Sequence, residues 1–207
     1  WNRNSIKTIR VNCKLYTVRF KMVKLDKNFD IIKNHKESII LIGNFDGVHL
    51  GHQKLFRLAK SYKKKYKLKI GVVNFDPMPK MFFNKSIKNF RFGNKREGDV
   101  RFLIQNEKRF NYQVIKPKPL LVNKKIVSSS LIRNYLEKGF LGRANKLLNR
   151  KWCIEGMVQR GRQVGKKIGF PTCNIDIKDY ILAKPGVYAV RISRKNNFKA
   201  LKGIANL

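Results

Sequence analysis

Two histidines three residues apart, His49 and His52, sit in the run Gly43-Asn44-Phe45-Asp46-Gly47-Val48-His49-Leu50-Gly51-His52-Gln53. Imidazoles beside a helix start can donate hydrogen bonds to the charge that develops on transferring phosphoryl oxygens. Such a site needs no covalent nucleophile, because positioning and electrostatics supply the catalysis. Gly43, Gly47 and Gly51 let the backbone approach a ligand closely. A His-x-x-His pair alone is often a surface or metal-binding pair; three glycines and Asp46 in the same loop favour phosphate.

A second candidate is Val127-Ser128-Ser129-Ser130-Leu131-Ile132-Arg133, where hydroxyls precede a helix and Arg133 projects one turn later. An anion suits this arrangement. An ordinary serine N-cap with a solvated arginine suits it as well. A third lies further on, in Gly161 and Gly165-Lys166-Lys167-Ile168-Gly169-Phe170-Pro171-Thr172-Cys173-Asn174. Its backbone donors and lysines suit phosphates, and alternation would put Thr172 and Asn174 on one strand face, where two oxygen groups could meet Mg²⁺. Glycine-rich turns and exposed Thr-x-Asn pairs are also common polar surface.

The elements that must carry these residues are legible. Ser38 to Ile42 reads as a buried parallel strand ending at Gly43-Asn44, and Leu55, Phe56, Ala59 and Tyr62 place a helix from Gly51 to about Lys64. Ile70 to Phe75 reads as the next strand, completing a βαβ unit. Free N–H groups at that helix start are expected to face phosphate. Val100, Leu103, Ile104 and Phe110 predict one further helix, Val114-Ile115 a strand, and Asn123-Lys124 a hairpin turn. Leu131, Ile132, Tyr135 and Leu136 predict a helix ended by Gly139, and Leu141, Ala144, Leu147 and Leu148 another.

After about Lys151 short β-like runs alternate with glycines: Cys153 to Val158, Cys173 to Ile177, Gly186 to Ile192 and Leu201 to Leu207. A small antiparallel barrel is expected there, left incomplete. The expected organisation is a basic appendage over 1–21, an α/β domain over 22–150 and the partial barrel over 151–207. Met22 is a candidate natural start.

Forty-eight Lys and Arg against 12 Asp and Glu give a net charge of +36. Such a field attracts polyanions. The lysines are spread over the chain with many Asn, Ile and Phe, as in an A/T-biased coding sequence, and no basic stripe with interleaved aromatics stands out. Compositional drift is therefore preferred to a nucleic-acid surface. Cys13, Cys153 and Cys173 form no disulfide or zinc pattern. No apolar run has membrane-spanning length and no signal-peptide pattern opens the chain, so a cytoplasmic protein without membrane or specific nucleic-acid partners is expected.

The histidine loop and Val127-Ser128-Ser129-Ser130-Leu131-Ile132-Arg133 together resemble the FAD synthetase module of bacterial riboflavin kinase/FAD synthetases. Gly169-Phe170-Pro171-Thr172-Cys173-Asn174, Pro185-Gly186-Val187-Tyr188-Ala189-Val190 and Gly203-Ile204-Ala205-Asn206 resemble the riboflavin kinase module of the same family. The resemblance implies a Rossmann-like nucleotidyltransferase domain in which FMN attacks ATP, giving FAD and pyrophosphate with Mg²⁺ present. It implies ATP contacts from Gly43, Asn44, Phe45, Asp46, Gly47 and Gly51, with catalytic His49, His52 and Arg133 and with Ser128, Ser129 and Ser130 closing over the phosphates.

For the kinase module, which makes FMN from riboflavin and ATP, it implies nucleotide contacts from Gly161, Gly165, Lys166, Gly169, Phe170 and Pro171. Thr172 and Asn174 would stand at the metal. The family's later glutamate, which activates the ribityl hydroxyl, lies beyond Leu207, so no kinase turnover is expected. Asp76-Pro77-Met78-Pro79 stands where the family has a Glu-Pro-His-Pro-like segment, and a block of helix and strand is expected to be absent between Phe83 and Asn89. Two rivals remain open: a nucleotidyltransferase for another small phosphate, and a basic nucleic-acid-binding protein.

Overall fold

The computed structural model describes residues 8–11, 37–73, 97–159, 161, 164–167, 169, 172–177, 180–194 and 197–207. The chain forms two compact units, Val23–Ser130 and a second made of Trp1–Met22 with Leu131–Leu207.

In the unit Val23–Ser130, β2 (Ser38–Ile42) and β3 (Lys69–Val73) pair in parallel, Leu41 opposite Val72. They are joined by α1 (Leu50–Tyr66), as expected of a βαβ unit. The helix ends where Lys67 turns left-handed at φ 56, and Lys63, Lys64 and Lys65 in its last turn favour the negative end of its dipole. Ala59 is buried on its inner side and Leu41 on the strand. Ile40, Ile42, Val72 and Val73 remain 38–48% exposed, although parallel strands are ordinarily covered on both faces.

The single helix expected from Val100 onward is two: α2 (Val100–Gln105) and α3 (Glu107–Phe110). Asp99 caps the first through the Phe102 N–H at 3.0 Å. The break falls at Asn106, whose side-chain amide donates to the Phe102 carbonyl at 2.8 Å and so competes with the backbone ladder. The strand expected at Val114-Ile115 does not form. The Val114 N–H is taken by the Glu107 carboxylate and so is not offered to a neighbouring strand. The hairpin does form, from β4 (Leu121–Val122) and β5 (Lys125–Ile126), with Asn123 and Lys124 both at positive φ, the pattern a two-residue type I′ turn requires.

The second unit rests on helices and an antiparallel sheet. Its core includes Ile132 and Leu136 of α4 (Ser129–Glu137) and Ala144, Leu147 and Leu148 of α5 (Leu141–Leu148). Burying each of those leucines contributes roughly 1.5–3 kcal/mol. Gly139 at φ 77 follows the first helix and Asn149 at φ 55 closes the second.

The sheet has strand order β7-β6-β1-β8-β9, built from β1 (Thr8–Val11), β6 (Ile154–Gln159), β7 (Asn174–Ile175), β8 (Val187–Arg194) and β9 (Asn197–Asn206). All its pairings are antiparallel. Thr8–Val11, expected to lie in an appendage, instead form its middle strand: Ile9 stands opposite Gly156 on one side and Arg194 on the other. The backbone hydrogen-bonding capacity of β6 and β8 is what recruits them; the irregular apolar spacing of 1–21 concealed a strand of four residues. Among the described residues no helix is long and apolar enough to cross a membrane.

Candidate active site

The site begins where β2 ends. The Gly43 N–H is held by the Val73 carbonyl at 3.2 Å, and a single 3-10 turn, Asp46–Val48, then redirects the chain into α1. Gly47 stands at φ 68 and Val48 at φ 39; the latter is an outlier for a β-branched residue, and such outliers cluster at functional loops.

His49 is the N-cap of α1. Its Nδ1 accepts from the Gly51 N–H at 3.1 Å and, more loosely, from the His52 N–H at 3.4 Å. The role is ordinarily filled by Ser, Thr, Asp or Asn. Two of the N–H groups expected free at this helix start, those of Gly51 and His52, are therefore bonded to the histidine itself. This capping has a chemical consequence. With Nδ1 an acceptor, a neutral His49 carries its proton on Nε2 and is a hydrogen-bond donor there.

His49 is only 5% exposed. Burial, and then the charge of neighbouring His52, hold its pKa down at about 4 against an ordinary 6.5, with Asp46 opposing. Burial also lowers the pKa of His52. The two rings stack at a centroid distance of 3.7 Å, a geometry that disfavours two positive charges. Behind them Phe45 meets the His52 ring edge-on at 5.2 Å and the Phe56 ring at the same distance.

Gly51 occupies a tight place. A Cβ there would stand 3.0 Å from Cε1 and 3.1 Å from Nδ1 of His49, and 3.3 Å from the Val127 carbonyl oxygen. The serine segment is thus brought against the histidine loop, and a direct bond joins them: Ser129 Oγ donates to Asp46 Oδ1 at 2.7 Å. Ser128 is half-buried and Ser130 exposed, as is Asn44 in the first loop. A cleft of about 200 Å³ opens beside His49, walled by Lys54, Pro117, Lys118, Leu120 and Val127 among others. That volume is below the ~300–1,000 Å³ of pockets that enclose whole drug-sized ligands, and suits part of a nucleotide. His52 supports His49 from behind and does not line the cleft. Arg133 is half-buried on α4, in the other compact unit.

Of the third constellation, Gly161, Gly165, Lys166, Gly169, Thr172 and Asn174 are described; Phe170 and Pro171 lie outside the described residues, as do Asp76-Pro77-Met78-Pro79 and the segment from Phe83 to Gly93. Part of the expected loop is helical, α6 (Val164–Lys167), holding Gly165 and Lys166, and Gly169 follows at a turn. Asn174 is exposed on β7 opposite Gln159. Thr172 precedes that strand by two residues, so the shared strand face expected of the pair does not exist: β7 pairs through Asn174 and Ile175 only. A Cβ on Gly161 would fall 1.9 Å from Asn174 Nδ2, so glycine there lets the amide lie against the loop.

Known proteins sharpen this picture. A family described as FAD synthetase matches residues 31–89, and one described as riboflavin kinase matches residues 148–207. A bifunctional riboflavin kinase/FMN adenylyltransferase of Buchnera aphidicola subsp. Schizaphis graminum is 33% identical over 233 residues, covering 84% of this chain and 74% of that protein. The chain belongs to the bifunctional riboflavin kinase/FMN adenylyltransferase family. The Escherichia coli K12 member is 25% identical, with 82% of this chain and 72% of that protein covered.

A riboflavin kinase segment after an FAD synthetase segment makes this an enzyme chain of FAD biosynthesis, and neither rival function is favoured. Since 84% of 207 residues is about 174, about 59 of the 233 positions matched in the Buchnera member have no counterpart here. That Buchnera protein is thus longer than this chain within the matched region. A crystal structure described as a macrolide-efflux protein from Streptococcus pneumoniae shares the fold, with a TM-score of 0.65 at 23% identity over 82% of this chain and 73% of that one. The FAD synthetase match ends at residue 89, so the serine segment's place beside the histidines rests on the Asp46–Ser129 bond.

Sequence reasoning missed Lys54 and the Pro117–Leu120 wall. No signal could have marked Lys54 among 48 basic residues, because its distinction is positional.

Proposed function

We propose that the cleft beside His49 receives phosphates of ATP and that the chain transfers the adenylyl group to FMN. A phosphate oxygen of FMN attacks the α-phosphorus of ATP, the bond from that phosphorus to its bridging oxygen breaks, and pyrophosphate leaves as FAD forms. The observation that carries this reading is His49, which lines the cleft, is neutral at pH 7 and has its Nδ1 engaged by backbone, which leaves its Nε2–H as the donor. A neutral donor held in place before the reaction stabilises developing phosphoryl charge without reorganisation.

In this reading His52 holds the His49 ring by stacking, and Gly43, Asn44, Phe45, Asp46, Gly47 and Gly51 shape the ATP loop. Ser128, Ser129 and Ser130 border it. The domain is a Rossmann-like nucleotidyltransferase over 22–150, consistent with the parallel β2–α1–β3 unit. Residues 151–207 are a riboflavin kinase module of partial barrel form, supported by the antiparallel sheet and the family match.

There Gly161, Gly165, Lys166, Gly169, Phe170 and Pro171 would meet the nucleotide, and Thr172 and Asn174 a Mg²⁺ ion. Both offer neutral, hard oxygen donors, and among the described residues no group of three or more His, Cys, Asp or Glu side chains forms a cage. That set fits a Mg²⁺ ion delivered already bound to nucleotide phosphates. The ion would neutralise phosphate charge during transfer.

Incubating the purified chain with FMN, ATP and Mg²⁺ and separating the flavins tests the adenylyl-transfer half. FAD should accumulate with the wild type and not with His49→Asn. Equal FAD formation by both proteins, or none by the wild type, would overturn the reading.

A further inference from the structure

Lys54 stands in the second turn of α1 and lines the cleft together with His49. Its Nζ donates to the Lys118 carbonyl at 2.9 Å, a contact spanning 64 residues. An ammonium has three N–H donors, so two remain beyond that bond. The carbonyl holds a long, otherwise mobile side chain at the cleft wall, and ordering it beforehand removes part of the entropic cost of binding. No carboxylate lines the cleft among the described residues, while Lys54 and Lys118 both do. Pro117 and Pro119 in the opposite wall have no N–H to offer an anion. The cationic donor that the wall can supply at a fixed point is therefore Lys54.

We infer that Lys54 binds the pyrophosphate end of the triphosphate, the part that leaves as pyrophosphate. This rests on the reading of the cleft as the ATP-phosphate site. The cleft's volume of about 200 Å³ suits a diphosphate better than a nucleoside, and its fixed cation sits deeper along the helix than the His49 donor at the N-cap. Lys54 thus acts on binding and leaving-group charge, and His49 on the transferred phosphoryl group.

The test is calorimetric titration of the full chain with inorganic pyrophosphate, comparing wild type, Lys54→Met, Lys54→Arg and, as a control for the general basic field, Lys63→Met on the exposed last turn of the same helix. Lys54→Met should weaken binding by roughly tenfold or more, the worth of a hydrogen bond to a charged group. Lys54→Arg should retain most affinity and Lys63→Met all of it. Unchanged affinity in Lys54→Met, an equal loss in Lys63→Met, or no pyrophosphate binding by the wild type would each overturn the inference. FAD formation by wild type and His49→Asn decides the underlying reading separately: Lys54→Met binding pyrophosphate normally while His49→Asn makes no FAD would remove Lys54 and leave the site.

Discussion

Ser129 Oγ donates a 2.7 Å hydrogen bond to Asp46 Oδ1 across 83 residues of sequence, and so ties the serine turn at the end of the unit Val23–Ser130 to the loop that ends β2. Neither residue needs a ligand to make this contact. Removing the hydroxyl leaves a half-buried carboxylate short of one partner, and bonds of this charge-assisted kind are worth about 1.5–3 kcal/mol. Ser129→Ala should lower stability within that range and reduce FAD formation by loosening the loop. Because the two side chains share one bond, Asp46→Ala combined with Ser129→Ala should cost less than the sum of the single changes. Denaturant unfolding of the four proteins checks this; strict additivity would mean that the bond contributes nothing.

His49 links the fold to pH. Burial and the neighbouring His52 hold its pKa at about 4 in the folded chain, whereas the unfolded chain titrates near 6.5. Between those values the unfolded state binds a proton that the folded state refuses. The contribution is fully present above pH 6.5 and is lost as pH falls toward 4, by at most about 3.5 kcal/mol at about 1.4 kcal/mol per unit. Unfolding free energies measured from pH 7 down to pH 4 should fall more steeply for the wild type than for His49→Asn, which caps the helix without titrating. Parallel curves would contradict the burial argument.

A Cβ at Gly51 would press on the His49 ring and the Val127 carbonyl, each of which would have to give by a few tenths of an ångström. Overpacking of this order costs about 1–3 kcal/mol. Where those neighbours cannot give way, Gly51→Ala should destabilise the chain by up to that amount and, on the proposed role of His49 as donor, reduce adenylyl transfer further than stability alone explains. The comparison is FAD formation at a temperature where both proteins remain folded by circular dichroism.

The local signals that survived into the structure are those with a short period or a strong stop. Ser38 to Ile42, the helix through Leu55, Phe56, Ala59 and Tyr62, and the turn at Asn123-Lys124 were all readable, because apolar spacing and turn chemistry act over a few residues. What could not be read depends on partners distant in sequence. Thr8–Val11 is a strand because β6 and β8 flank it, and Val114 is not one because Glu107 occupies its N–H. At the site, the two histidines and the serine segment were visible by residue type. The division of labour between them was not: that His49 caps its own helix, that His52 buttresses it, and that Ser129 is engaged by Asp46 follows from angles and distances that no spacing encodes. Lys54 was invisible for the opposite reason, being one lysine among many.

An ATP phosphate that meets the Nε2–H of a neutral His49 must change the electronic surroundings of that nitrogen, which imidazole ¹⁵N resonances report. With a non-hydrolysable ATP analogue added, the His49 Nε2 signal should move while Nδ1 keeps the signature of an unprotonated acceptor at pH 7, and in His49→Asn the analogue should leave His52 unperturbed. If the analogue binds and the His49 resonances stay where they were, the account is wrong.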